Sequence, residues 1–251
     1  MLEALYLSVA LTQTQPFDLS AEVDVELVLA VDVSQSMDAD EAAIQRDGYA
    51  AALTSDEFLR AVEGGPLGRI AVTYLEWAGV GEQYVVADWA VVQDAATAAS
   101  FARAVQSGAH HTSQRTSIAD ALDYAAQSIE SNAFQGLRKV IDVSGDGPNN
   151  QGGSVTDVRD RLVAQGYTIN GLPLMIKDTS KAWPAMPHLH HYYEDCVIGG
   201  PGAFVEPVRS RAGFPDAIRK KLVQEVARVS PERLPVTRVL VREKIRCHMF
   251  D

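Results

Sequence analysis

VDVELVLAVDVSQSMD, residues 23–38, runs a buried strand directly into a polar loop. Val23 to Val31 opens with apolar–polar alternation and closes as an unbroken apolar run, the pattern of a strand covered on both faces of a parallel sheet. It leads straight into Asp32-Val33-Ser34-Gln35-Ser36. A helix is expected from Ala39 to about Leu53. Asp38 and Asp40 stand near its N-terminus, where carboxylates favour the helix dipole.

The same alternation of strand and helix continues outward. Phe58 to Val62 reads as helix and stops at Gly64-Gly65-Pro66. Arg69 to Trp77 and Gln83 to Val91 are rich in β-branched and aromatic residues and are separated by Gly79 and Gly81, which predicts a hairpin with an antiparallel edge strand. Asp94 to Val105 is an alanine-rich helix. A polar loop, Ser107 to Arg115, precedes a helix from Ser117 to Ser131. Lys139 to Ser144 is a strand that enters Gly145-Asp146-Gly147-Pro148-Asn149-Asn150. Val155 to Gln165 is a helix, Tyr167 to Ile176 a strand, Ala203 to Val208 a last short strand and Phe214 to Val229 a last helix. The prediction is an α/β fold: a doubly wound, mostly parallel central sheet with one antiparallel edge strand and helices on both faces. Ligands of such sheets bind beyond the carboxyl ends of the strands. Two of those ends carry an aspartate in a polar loop, Asp32 and Asp146.

The bulk numbers fit one large domain. The chain has 251 residues, 47% hydrophobic and 22% charged, with a formal net charge of −11. No repeat, low-complexity segment or Pro/Gly/Ser-rich linker divides it. We read residues 1–21 as an N-terminal arm or remnant signal segment, 22–229 as the domain and 230–251 as a tail. The acidic balance argues against nucleic acid as a partner. Leu2 to Leu11 is apolar but too short to span a bilayer. With Leu19-Ser20-Ala21 as a cleavage site it resembles the end of a secretory signal, although the first basic residue of the chain is Arg46 and the positive n-region is missing. The expectation leans to a periplasmic or secreted protein, with the cytoplasm as the alternative. The two cysteines, Cys196 and Cys247, allow one disulfide, which sequence spacing leaves open.

Asp32, Ser34 and Ser36 place three oxygen-bearing side chains at alternate positions in one tight loop. Oxygen donors suit a hard cation such as magnesium, calcium or manganese, and the absence of Cys and His from the set disfavours zinc. Helix capping by the same residue types is the competing reading. Thr116 before a mid-chain helix and Asp146 after a second buried strand extend the set. Asp-x-Ser-x-Ser after a first apolar strand, a Thr opening a central helix and a strand-terminal Asp-Gly together resemble the metal-ion-dependent adhesion site of von Willebrand factor type A domains. Order and separation match over about Val23 to Val229. LAVDVSQSMD, QRDGYAAAL, GPLGRIAVTYLEWAG, VIDVSGDGPNNQG, INGLPL and YYEDCVIGGPGAF are most similar to the bacterial domain-of-unknown-function 1194 branch.

The resemblance implies a binding module and not an enzyme. Ser34, Ser36 and Thr116 would hold a divalent cation, magnesium first with manganese or calcium as substitutes, through their hydroxyls. Asp32 and Asp146 would accept hydrogen bonds from its waters. A partner protein with an exposed Asp or Glu would complete the coordination. A metal-dependent phosphohydrolase with Asp32 as nucleophile needs a second aspartate two residues on, where this chain has Ser34. A purely structural domain is the remaining alternative.

Other features are weaker. Asp142 reads either as a group behind the site or as a buried acid paired elsewhere. Asp38 and Asp40 read as solvated helix-start acids. His188, His190 and His191, with Glu194, Asp195 and Cys196, resemble a transition-metal cluster but fit an exposed loop better. Ile198 to Phe204 is a glycine-rich turn without the lysine of a phosphate loop. Ser113 with His110 or His111 lacks a hydrolase context. The segment from Arg228 to Asp251, with six basic and three acidic residues, reads as an added strand, a partner-binding tail or a disordered end.

Overall fold

A computed structural model of the chain describes residues 21–34, 39–176, 188–227 and 242–250, with the side chains of 39–42 left out. Ser36, Asp38, the apolar run 2–11 and most of the tail lie outside the described residues.

The elements follow the expected alternation. They are β1 (Glu22–Val23), β2 (Glu26–Asp32), α1 (Ala39–Leu53), α2 (Asp56–Glu63), β3 (Ile70–Trp77), β4 (Gln83–Val92), α3 (Ala95–Ser107), α4 (Ile118–Ser131), β5 (Gln135–Gly136), β6 (Lys139–Gly145), α5 (Val155–Ala164), β7 (Tyr167–Pro173), α6 (Leu189–Tyr192) and α7 (Phe214–Val226). The main sheet has five strands in the order β4-β3-β2-β6-β7, and β1 pairs with β5 in a two-stranded ribbon. β2, β3, β6 and β7 run parallel, and β4 is the antiparallel edge strand.

β2 is central and every one of its residues is buried, as its continuous apolar run requires. Its alternate side chains feed two cores. Leu27, Leu29 and Val31 join Tyr49 and Leu53 of α1, Phe58 of α2 and Phe214, Ile218 and Leu222 of α7. Val28 and Ala30 face the other way, toward Ile118, Leu122 and Ala125 of α4, Leu162 of α5 and Tyr192. That two-sided burial is what makes the fold doubly wound. Gly48 lets α1 and α7 approach closely, since a Cβ there would lie 2.9 Å from Ile218 Cδ1.

Several elements differ from the expectation. Ala203 to Val208 forms no continuous strand. Val205 and Val208 form isolated bridges to Gly171 of β7 and to Leu174 just beyond it, and Pro173 has no N–H to complete the ladder that the Gly171, Glu206, Val208 and Met175 N–H groups otherwise form. The histidine segment is helical: α6 passes into a π-helical turn, Tyr193–Val197. Cys196 and Cys247 form a disulfide. Asp142 is the paired buried acid, with Lys221 Nζ 2.6 Å from its Oδ1. Lys221 also meets Glu225 Oε1 at 2.5 Å, and Glu225 Oε2 accepts from Asn170 Nδ2 at 2.5 Å. This charged network ties α7 to β6 and β7 inside the core. Among the described residues no helix is long and apolar enough to cross a membrane.

Candidate metal centre

β2 ends at Asp32, whose side chain is fully buried. Its Oδ1 accepts the Ser34 N–H at 2.7 Å, and the Ser34 hydroxyl and the Asp146 N–H also reach the carboxylate. The loop therefore turns around the side chain of its own first residue, the local bonding that Asp favours outside helices. Asp32 Oδ2 is buried and accepts no hydrogen bond among the described residues. Burial and the facing Asp146 push Asp32 up to about 7.

Three loops meet at this end of the sheet. Ser34 pairs with Ser113 in an isolated bridge, and the Ser113 N–H donates to Val33 O at 3.3 Å. That bond lays the 108–117 loop against the end of β2. Thr116 is buried. Its N–H donates to Asn150 Oδ1 at 2.9 Å, and its carbonyl accepts the Asn150 N–H at 2.9 Å. Asn149 Oδ1 accepts the Ile118 N–H at 2.8 Å, so the loop after β6 satisfies a donor at the start of α4. The Ser117 side chain caps that helix, and its N–H donates to Ala78 O at 2.7 Å, beyond β3. Asp146, half-buried, follows the last residue of β6.

The structure thus gathers Asp32, Ser34, Thr116 and Asp146 on loops cross-bonded at the carboxyl ends of β2 and β6. Ser36 lies outside the described residues. Gly145 is required by this arrangement, because a Cβ there would stand 2.9 Å from Asp32 Oδ2 and 2.8 Å from the Tyr193 hydroxyl. That hydroxyl is itself buried without a hydrogen-bond partner among the described residues. Asn149, Asn150 and Tyr193 were not singled out from the sequence. The Pro148-Asn149-Asn150 run after Asp146-Gly147 was a signal for the first two, and Tyr193 had none.

A second network holds the 108–117 loop from behind. Arg46, buried in α1, donates to Glu76 Oε1 at 2.9 and 2.5 Å and to the carbonyls of Gly108 and Ala109 at 2.7 and 2.5 Å. His111 Nδ1 lies 2.9 Å from Glu76 Oε2, and its ring stacks on Tyr84 at 4.1 Å. Arg115, immediately before Thr116, is the one non-glycine with positive φ among the described residues (71°).

His188, His190 and His191 cluster at the start of α6, with ring centroids 4.0 to 6.1 Å apart. Among the described residues, however, no three His, Cys, Asp or Glu side chains converge as a metal-holding group. The oxygen set at β2 is of a different kind, hydroxyls backed by two carboxylates. It fits a hard cation on chemistry, and the unpartnered Asp32 Oδ2 facing a second acid supplies the charge such an ion would neutralise.

A family model described as Protein of unknown function (DUF1194) matches residues 22–230. No curated protein matches the chain. Solved structures share its fold. One is proximal thread matrix protein 1 of the mussel byssus with a zinc-occupied MIDAS motif (TM-score 0.53, 14% identity, covering 80% of this chain and 46% of that one). Another is the pilus adhesin SpaC of Lactobacillus rhamnosus GG (TM-score 0.59, 14% identity, 81% and 31%). A third is a von Willebrand factor type A protein of Catenulispora acidiphila (TM-score 0.50, 14% identity, 81% and 43%). The chain spans less than half the length of each. At these identities the likeness establishes the von Willebrand factor type A fold.

Proposed function

We propose that this chain, which belongs to the DUF1194 family, is a binding module that uses a divalent cation to hold an acidic residue of a partner protein. The observation that carries the reading is Asp32 Oδ2, buried without a donor among the described residues and close to Asp146 beside two hydroxyl-bearing loops.

Ser34, Thr116 and, from the same motif, Ser36 would contact the ion through neutral hydroxyls. Asp32 and Asp146 would lend charge from behind. When bound, the cation supplies a positive centre short of anionic ligands, and a carboxylate from outside answers that shortage. The protein's part is to hold the hydroxyls in place: Asn150 fixes Thr116 and the Asp32 carboxylate fixes Ser34. Magnesium is the first choice for an all-oxygen set, with manganese or calcium as substitutes. The module comprises residues 22–229, with 230–251 as an accessory tail.

Hydrolysis is disfavoured because the position two residues after Asp32 is Ser34, which cannot serve as a second carboxylate acid–base. Export is the better compartment, since the Cys196–Cys247 disulfide is at home in an oxidising environment. The shared fold of a pilus adhesin and a byssal protein is in keeping with a binding role.

The test is calorimetric titration of magnesium and manganese into metal-stripped protein beside Asp32→Ala. Saturable one-site binding that the variant loses is expected. Equal binding by parent and variant would remove the metal-bridge mechanism and leave the fold.

A further inference from the structure

Residues 242–250 lie beyond the stretch that the family model matches, and the reading above gives them no task. They are nonetheless fastened to the body in several ways. Cys247 is bonded to Cys196. Arg242 forks onto Asp195 at 2.6 and 3.0 Å and reaches Glu194 at 2.8 Å. The Ile245 N–H donates to Asp195 Oδ2 at 2.9 Å. The Phe250 ring meets Tyr192 at 5.2 Å, and its carbonyl accepts from Asn149 Nδ2 at 3.4 Å.

Most of these anchors fall on one short stretch, the end of α6 and the π-helical turn, and that stretch touches the candidate metal centre from its other side. The Tyr192 hydroxyl accepts the Asn149 N–H at 3.2 Å. The Tyr193 hydroxyl stands over Gly145 beside Asp32 Oδ2. Asn149 and Asn150 are the residues bonded to Ile118 and Thr116. A continuous chain of contacts therefore runs from the disulfide to a predicted metal ligand.

We propose that residues 242–250 are a strap that positions the metal centre, and that the Cys196–Cys247 bond makes its grip redox-sensitive. The inference rests on the metal-centre reading. The disulfide dominates the attachment because the Arg242 pairs are partly exposed, and such pairs contribute little in water. The bond closes a separation of 51 residues, so opening it frees much chain entropy. Cys196 is fully buried and Cys247 is only partly so, so an incoming thiolate meets Cys247 Sγ. For a dithiol reductant, its first thiolate bonds to Cys247 Sγ while the Cys196 sulfur leaves with the electron pair and takes a proton. Its second thiol then displaces Cys247, which leaves as a thiol. The reductant becomes a disulfide, having given two electrons and two protons.

The experiment compares three forms: oxidised protein, protein reduced with a small dithiol and freed of it, and Cys247→Ser. Manganese affinity is read by calorimetry, and amide exchange at Ile118 and Ala119 by hydrogen–deuterium exchange. We expect about tenfold weaker manganese binding, the scale of lost support behind a metal ligand, with faster exchange, in the reduced protein and in the variant. Reoxidation should restore the parent alone. Equal exchange in all three forms overturns the strap. Absence of manganese binding in the oxidised protein overturns the metal reading instead, and the exchange comparison still decides the strap. Should the reduced protein and the variant unfold altogether, the bond is a staple of the whole fold and the strap is likewise overturned.

Discussion

Gly145 and Asp32 show how little room the site leaves. A methyl group at 145 would fall 2.9 Å from Asp32 Oδ2 and 2.8 Å from the Tyr193 hydroxyl, and the first of these is a group the mechanism needs in place. Gly145→Ala should destabilise the fold by about 1–3 kcal/mol, the usual range for overpacking a filled interior. It should also weaken cation binding, since Asp32 must shift. Chemical denaturation and calorimetry on the same sample check both. A variant with parent stability and parent affinity would mean that Asp32 and Tyr193 move freely. At this scale the sequence was legible where residue type alone carried the signal: Asp32, Ser34, Thr116 and Asp146 stand out as oxygen donors at strand and helix ends. Tyr193 was not, because nothing in its own segment points to a neighbour 161 positions upstream by number.

The elements add a pH dependence. Burial pushes Asp142 up to about 7, with Glu225 adding to the rise and Lys221 opposing it. In the unfolded chain an aspartate releases its proton near pH 4. Between about pH 4 and 7 the folded state therefore holds a proton that the unfolded state has lost, and stability falls as pH rises through that window. Asp32, also pushed up to about 7, contributes with the same sign. Asp142→Asn leaves one of the two, so the fall in urea midpoint between pH 5 and 7.5, measured in chelator, should shrink by about half. An unchanged fall would mean that Asp142 is ionised throughout. Asp142 also shows where the elements became unreadable from sequence. Its strand was plain from the apolar run around it, but the partner Lys221 sits on α7, and linear spacing gives no hint that α7 covers β6. The broken strand at 203–208 has a different cause: Pro173 on the neighbouring strand withholds one N–H from the ladder.

At the scale of the molecule, the doubly wound sheet follows from β2. A strand apolar on both faces needs a layer of helix on each, and the alternation along the chain supplies them. What the order of elements could not give was the closing of the chain on itself. Cys196 and Cys247 are bonded, and the end of the chain returns to the loop that holds Thr116. The 108–117 loop is likewise braced from afar, by Arg46 through Glu76. The centre is therefore assembled by contacts between distant segments around a small set of residues that the sequence does announce. Binding only to the folded state makes the cation a stabiliser: magnesium at a hundred times its dissociation constant should raise stability by about 2.7 kcal/mol. Asp32→Ala should show no such gain in thermal unfolding, and a gain equal to the parent's would place the ion elsewhere.

The most direct test is the position of a bound ion. Crystals grown or soaked with manganese give an anomalous difference map in which the metal is located without assumption. One dominant peak is expected beyond the carboxyl end of β2, bounded by Asp32, Ser34, Thr116 and Asp146. A dominant peak at His188 to His191, or a saturated crystal with no peak at the end of β2, would contradict it.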